Sequence, residues 1–140
     1  TKELEENIRD TMRIPFERKG IRGKINLERG VILGDRDLLL SLLYNLLDNA
    51  VKYCDPDGMI RVTLRGGKHP VILVDNSYMA VGRMELDRLF DRFYRADKAR
   101  TYGSGFGIGL SIAKAIVEKH HGNIKASPLE DNMIRFQVSL

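Results

Sequence analysis

Polar side chains form a stripe along an otherwise apolar segment, LLLSLLYNLLDNAVKY, at residues 38–53. Asn45, Asn49 and Lys52 are spaced four and three residues apart, so an α-helix would place them on one face. A helix that is apolar around most of its circumference is a buried one, and buried amides are costly unless they are hydrogen-bonded. Amide oxygens suit Mg²⁺, and lysine attracts phosphate. The stripe predicts a pocket for a metal ion and a charged ligand; alternatively, the amides brace neighbouring loops.

Two further features could contribute to such a pocket. The run GSGFGIGLSI at residues 103–112 has glycines at alternate positions, which would let backbone N–H groups approach a phosphate at the start of a helix. Its spacing fits neither a Walker loop nor a dinucleotide-binding fingerprint, and the alternative is a flexible hinge. Asp75 follows the apolar run VILV. Its carboxylate could accept hydrogen bonds from an amine edge such as that of adenine, or it could form a turn or cap a helix.

Composition limits the classes of partner. The chain has 140 residues and a net charge of +4, which suits one ordinary domain. Aspartates are interleaved with the basic cluster at residues 83–100, so we expect no nucleic-acid partner. Cys54 is the only cysteine, which fits a reducing compartment. These 140 residues show no signal-peptide pattern and no apolar run long enough to span a bilayer, and any targeting segment would lie upstream. Because the first residue is Thr1, we expect a piece of a longer polypeptide.

Hydrophobic periodicity and turn residues predict the elements that must position these groups. The predicted helices are residues 1–16, ending near Pro15, residues 38–53, capped by Asp35, residues 84–93 and residues 108–119. The predicted strands are residues 21–27, 60–64, 71–74, 124–126 and 134–140, with a short apolar run at 31–33. The sequence Asp-Pro-Asp-Gly at residues 55–58 would stop the long helix, and residues 95–105 would form a mobile loop.

This order of elements predicts an α+β fold in one domain spanning residues 1–140. Strand hairpins interleaved with three or four helices indicate a two-layer sandwich, in which a mixed, mostly antiparallel sheet packs on the helices. The other face of the sheet would meet solvent or a partner. The connections are too irregular for a doubly wound parallel sheet.

Four segments in this order resemble the ATP-binding domain of bacterial sensor histidine kinases, in the superfamily of gyrase, Hsp-type chaperone, histidine kinase and mismatch-repair ATPases. They are NLLDNAVKY at residues 45–53, VILVDN at 71–76, LFDRFYR at 89–95 and GFGIGLSIAKAIVEKHHG at 105–122. The resemblance covers nearly the whole chain. It implies the Bergerat-type ATP-binding fold, with ATP and Mg²⁺ as cofactors.

The resemblance also implies roles at the metal and the phosphates. Asn45 would coordinate Mg²⁺, and Asn49 would lie close to the metal and the phosphates. Lys52 would meet phosphate, Tyr53 would lie near the nucleotide, and Arg95 would reach toward the γ-phosphate. On this basis, Asn45, Lys52 and Arg95 are the expected catalytic residues.

The resemblance also implies a second group of residues, which would contact the adenine base or cover the site. Asp75 would bind the adenine amine, and Phe90 and Phe93 would anchor a lid over the nucleotide. The phosphate-facing loop and the start of the next helix would contain Gly105, Gly107, Gly109 and Leu110. Such a loop is mobile until nucleotide closes it.

In such kinases this domain holds ATP, and the phosphoryl group passes to a histidine on a separate helical dimerisation domain. None of His69, His120 and His121 has the sequence context of a phosphoacceptor. The expected partner is therefore the chain's own upstream helical domain and, indirectly, a response regulator. We expect a domain that is monomeric and nearly inactive alone, on the cytoplasmic side of a membrane-anchored sensor.

The sequence departs from the family in the segment that usually reads Asp-x-Gly-x-Gly. Here, residues 75–79 read DNSYM, so Ser77 and Met79 replace both glycines. Their side chains would crowd the adenine pocket or require positive φ, and a weakened nucleotide affinity follows. The Gly-x-Gly expected before the last strand is also missing, since residues 130–135 read EDNMIR.

Three rival functions remain open. A gyrase-like or chaperone-like hydrolase would carry a glutamate one helical turn before the metal-binding asparagine, and Ser41 in that position is a poor general base. An anti-sigma-factor-like serine kinase shares the fold but is usually complete in one short chain. A degenerate pseudokinase or interaction module would keep the fold and bind nucleotide weakly or not at all.

Overall fold

The structure, a computed structural model, describes residues 2–29, 34–79, 90 and 109–140. It contains helices α1 (Lys2–Lys19), α2 (Arg36–Tyr53) and α3 (Gly109–Lys119), and strands β1 (Arg22–Leu27), β2 (Met59–Arg65), β3 (Val71–Ser77), β4 (Asn123–Leu129) and β5 (Met133–Ser139). The helices cover one face of a single sheet, and their apolar side chains form one core with it. The predicted two-layer α+β architecture is confirmed.

The sheet has five strands in the order β1-β2-β3-β5-β4. β1 pairs with β2 in parallel, whereas the other three pairings are antiparallel, as the expected mixed, mostly antiparallel sheet requires. Side chains alternate between the two faces of a strand. In the central rows, Val62 pairs with Val74, and Val74 pairs with Phe136. These three side chains face the helices and are almost fully buried.

The central helix, α2, is fixed at its N-terminus by a side-chain cap. The carboxylate of Asp35 accepts hydrogen bonds from the backbone N–H groups of Asp37 and Leu38, at 3.0 and 3.2 Å, and so satisfies donors that the helix leaves unpaired. The Asp35 N–H in turn donates to Nε2 of His120 at 3.2 Å. Nδ1 of His120 lies 2.8 Å from the carbonyl oxygen of Ile116. Because that oxygen only accepts, Nδ1 is the donor in this contact, and the ring joins the end of α3 to the start of α2.

Lys19, the last residue of α1, binds the opposite end of α2. Its ammonium donates to the carbonyl oxygens of Val51, Lys52 and Cys54 at 2.7, 3.0 and 3.2 Å. A cation at a helix C-terminus also interacts favourably with the helix dipole. Cys54 itself is only 1% exposed, and burial raises the pKa of its thiol. The thiol therefore stays protonated, and the end of α2 carries no added negative charge.

Several boundaries differ from the predicted ones. α1 continues through Pro15 to Lys19, since the helix is held by packing and by the contacts of Lys19 as well as by its own hydrogen bonds. β3 continues beyond Val74 to Ser77 because β5 pairs with it along its whole length. β4 includes Pro128, which an edge strand tolerates. Three predicted segments lie outside the described residues: the helix at 84–93 except for residue 90, the apolar run at 31–33 and the loop at 95–105.

The contacts of Lys19 give a stability prediction. Replacing Lys19 with Met keeps the aliphatic stem but leaves three carbonyl oxygens without their donor, so we expect the free energy of unfolding in urea to fall by about 1–3 kcal/mol. Lys114→Met is the control, because the ammonium of Lys114 is half-exposed and lies 3.9 Å from Glu118; we expect its effect to stay below about 0.5 kcal/mol. Equal losses in the two variants would contradict the assigned role of Lys19.

Candidate functional site

The stripe on α2 presents two amides that have no hydrogen-bond partner among the described residues. Asn45 and Asn49 are half-buried, on a helix whose other sides pack against the core. Lys52 follows one turn later, and its ammonium lies 3.0 Å from the carboxylate of Asp48, which is 64% exposed. The structure therefore places the three predicted residues on one side of α2, with both amide groups available for a ligand.

The end of α2 is joined to the end of β3. The Asp55 N–H donates to the carbonyl oxygen of Ser77 at 3.0 Å, and the Met79 N–H donates to the Asp55 carboxylate at 2.8 Å. The rings of Tyr53 and Tyr78 meet edge to face, with centroids 6.0 Å apart. These contacts bring the last turn of α2, with its polar stripe, next to the end of the central strand.

Asp75 does not face this region. Its neighbours in β3, Val74 and Asn76, point toward the helices, so Asp75 points to the other side of the sheet. There it pairs in register with Arg61 of β2 and Arg135 of β5. Its carboxylate is fully buried and accepts from Arg61 at 2.9 and 3.0 Å and from Arg135 at 2.8 and 3.1 Å. These hydrogen bonds raise the pKa of the Arg135 guanidinium. The structure therefore does not bring Asp75, the residue expected at the adenine amine, to the polar stripe of α2.

Asn76, the next residue, points toward the helices. It is fully buried between its register partners Ile60 and Ile134. Its side-chain nitrogen donates to the carbonyl oxygen of Ser77 at 3.2 Å, while its side-chain oxygen has no partner among the described residues. An unsatisfied buried acceptor costs about 1–3 kcal/mol, which a ligand N–H group could recover. Residues 71–74 are all apolar, so the sequence shows no alternation here that could have identified residue 76.

Neither Ser77 nor Met79 has a positive φ, which was one of the two consequences expected for residues in place of glycine. Among the described residues, positive φ outside glycine occurs elsewhere, including Asp131 and Asn132 with φ of 62° and 55°. Ser77 is part of β3, and its hydroxyl accepts from the Met59 N–H at 3.0 Å. Met79 is 75% exposed. The missing Gly-x-Gly before β5 is replaced by Asp131 and Asn132, residue types that tolerate the left-handed conformation better than most.

The glycine-rich run enters the described structure where α3 begins. Gly109 is the first residue of α3, and Leu110 is buried in the core beside α2. The first turn of α3 has no acidic residue, so the positive end of its dipole is not neutralised there. Phe90 packs edge to face on Phe136, with centroids 6.1 Å apart. Phe93, Arg95, Gly105 and Gly107 lie outside the described residues.

The donors available for a metal ion are amide oxygens. Within residues 2–29, 34–79, 90 and 109–140, no group of three His, Cys, Asp or Glu side chains could hold a metal ion. Asn45 and Asn49 thus offer neutral oxygens without a carboxylate cluster. Such a set fits Mg²⁺, which takes much of its coordination from phosphate and water, and does not fit zinc.

Comparison with known families agrees with this arrangement. Residues 34–140, from the cap of α2 to the end of the sheet, match the model of the histidine kinase-, DNA gyrase B-, and HSP90-like ATPase family. The chain belongs to this family. It therefore has the ATPase-type nucleotide-binding domain that the polar stripe and the glycine-rich run indicated.

Among curated proteins, the relatives of this ATPase-family chain are sensor proteins. The probable sensor protein PcoS of Escherichia coli is 38% identical over 113 residues, which cover 79% of this chain and 24% of PcoS. Sensor protein DltS of Streptococcus agalactiae is 37% identical over 110 residues, covering 78% of the chain and 28% of DltS. The chain thus spans about a quarter of the length of these relatives.

Solved structures support the same domain type. The mycobacterial sensor histidine kinase MprB matches with a TM-score of 0.81 at 25% identity, covering 98% of this chain and 94% of the solved one. The catalytic domain of histidine kinase ThkA has a TM-score of 0.82 at 22% identity, covering 100% and 91%, and shows the shared fold. No helix among the described residues has the length and apolarity needed to cross a bilayer.

Because Asp75 and Asn76 lie on opposite faces of the sheet, we expect their substitutions to have opposite effects on stability and on nucleotide affinity. Asp75→Asn should lower the free energy of unfolding by about 2–3 kcal/mol. This loss is smaller than the ~3–5 kcal/mol typical of breaking a fully buried ion pair, because both arginines are partly exposed. The same variant should keep the Mg-ADP dissociation constant within about twofold of the parent value. Asn76→Leu removes an unsatisfied acceptor, so stability should not fall, while Mg-ADP affinity should drop about tenfold or more. Urea unfolding and calorimetric titration measure the two quantities.

The same titration with Mg-IDP is the control for the base contact. IDP has a carbonyl oxygen where ADP has an amine, so at that position it presents an acceptor instead of a donor to the Asn76 oxygen, and Asn76→Leu should change its affinity less than that of ADP. Weaker ADP binding by Asp75→Asn together with unchanged binding by Asn76→Leu would reverse the assignment of the two residues.

Proposed function

We propose that this chain binds Mg-ATP between α2, the end of β3 and the first turn of α3. In the longer protein, the γ-phosphoryl group would pass to a histidine on a separate helical domain. The observation that carries the proposal is that Asn45, Asn49 and Asn76 have amide oxygens without partners among the described residues, on the helix-covered side of one sheet. The family match and the sensor-protein relatives support it.

In this proposal, each side chain has a limited task. Mg²⁺, when bound, would neutralise charge on the phosphoryl oxygens. Asn45 and Asn49 would orient the metal-bound phosphates with neutral oxygens, and the Asn76 oxygen would accept from the base amine. Lys52 would meet phosphate by leaving Asp48, and since such exposed i,i+4 pairs contribute only about 0.3–0.5 kcal/mol, a phosphate group could compete for it.

Positioning and charge neutralisation would therefore supply most of the catalysis. Arg95 is proposed to reach the γ-phosphate, Phe90 and Phe93 to anchor the lid, and Gly105 and Gly107 to close over the phosphates. The phosphoacceptor would lie in another part of the parent protein, which we infer to be a membrane-anchored sensor with this domain on its cytoplasmic side. His120 does not suit that role, because both of its ring nitrogens are engaged within the fold.

The Mg-nucleotide site gives a prediction on α2. Asn45→Ala should weaken Mg-ADP binding at least a hundredfold, because it removes the proposed metal ligand, and should shift the unfolding temperature by no more than a few degrees. The control is Ser41→Ala, one turn earlier on an exposed position of the same helix, which should bind like the parent. Calorimetry with and without Mg²⁺ measures both. Unchanged Mg-dependent binding by Asn45→Ala would refute the assignment of this helix face.

Phosphoryl transfer separates the proposed function from its rivals. The chain is incubated with γ-labelled ATP in two reactions, one with a helical histidine domain and one with a small serine-containing regulator. We expect label on the helical domain that is lost in acid and retained in base, as for a phosphoramidate. Acid-stable label on the regulator would instead indicate a serine kinase. Release of labelled phosphate without any acceptor would indicate a hydrolase, which Ser41 in place of a glutamate disfavours.

A further inference from the structure

The sheet face that points away from the helices carries nearly all of the excess positive charge of the described strands. We name it the basic face. Its six cationic residues lie at the strand positions that alternate with the core residues: Arg22, Lys24, Arg61, Arg65, Lys125 and Arg135. The strands contribute a single acid, Asp75. In one row, Lys24, Arg61, Asp75 and Arg135 stand side by side on four adjacent strands.

The helices show no such excess. α1 has five basic and five acidic residues, and α2 has two of each. α3 has two basic residues and one acidic residue, so the excess positive charge of the described helices and strands is concentrated on the basic face. Asp75 is fully buried beneath two partly exposed arginines, so it holds both guanidinium groups in place without covering them.

The remaining side chains of the basic face restrict the kind of partner. Among the described strand residues of the basic face, none has an aromatic side chain on which a nucleic-acid base could stack. Its central apolar residue, Leu73, is only 3% exposed, and its other apolar residues are partly buried: Met59, Val71, Leu129 and Met133. The large exposed hydrophobic residues of the described chain, Ile14, Met79 and Ile112, lie off this sheet face. Tight protein interfaces depend on apolar or aromatic anchors. The remaining class of partner is a broad, flat, negatively charged surface, which can bind through charge alone and needs no anchoring side chain.

We propose that the basic face docks on the anionic lipid headgroups of a bilayer. Five strands about 4.8 Å apart give a platform about 19 Å wide, which matches a plane of headgroups better than a groove or a point charge. Basic residues at an anionic bilayer add attraction that decays within a Debye length. Docked in this way, the helices and the nucleotide site face away from the lipid, so this inference does not depend on the proposed kinase function.

Vesicle co-sedimentation at about 0.1 M salt tests the proposal on the 140-residue chain, with phosphatidylcholine vesicles that contain or lack phosphatidylserine. One variant combines Arg22→Gln, Arg65→Gln and Lys125→Gln, all exposed on the basic face. The matched control combines Arg13→Gln, Arg18→Gln and Arg36→Gln on exposed helical positions, with the same change in net charge. Circular dichroism confirms that both are folded.

We expect the parent to bind phosphatidylserine vesicles and not pure phosphatidylcholine, with affinity falling as salt rises. The affinity of the face variant for these vesicles should fall about a hundredfold, roughly fivefold per cation, while the affinity of the control should fall less than about fivefold. The proposal is overturned if the parent ignores phosphatidylserine, or if both variants lose equally, since net charge alone would then suffice. It is also overturned if a single-stranded oligonucleotide binds the basic face more tightly than the vesicles do, which would assign the face to nucleic acid.

Discussion

Fixation of α2 at both ends is the constraint on which the site depends. A helix that buries leucines against a sheet and against α3 gains most of its stability from that packing, yet one side must stay polar and open. The capping carboxylate of Asp35 and the ring of His120 hold its start. The ammonium of Lys19 holds its end. With both ends fixed, the amides on its open side have a defined position even without ligand, so little ordering is left for binding to supply.

The same sheet serves two purposes through its two faces. Toward the helices, β3 carries apolar residues, and its last helix-facing residue is Asn76, a buried amide whose oxygen has no partner among the described residues. Toward the other side, it carries Asp75 between two arginines. A shift of one residue exchanges the two faces, so a carboxylate and an amide that are neighbours in sequence belong to different chemical environments.

Much of this architecture could be predicted from the sequence, because it follows from local patterns. The apolar residues of β2 and the amide stripe of α2 each lie on the face that the strand period and the helical period predicted. The direction of Asp75 could not be read from the residue type, since aspartate before a turn suggests a strand end. Only pairing with Arg61 and Arg135, 14 and 60 residues away, decides that the strand continues. The contacts of Lys19 and His120 with α2 are equally long-range and leave no local pattern.

Pro128 has a consequence for how this sheet meets another copy of itself. β4 is the outermost described strand on its side, and the outward backbone groups of such a strand are a template for pairing with a second chain. Proline has no N–H, so the template is interrupted at that position. Lys125 adds a charge on the same strand, which would repel its own counterpart if two edges approached. This described edge is therefore a poor site for extending the sheet with a strand of a second copy.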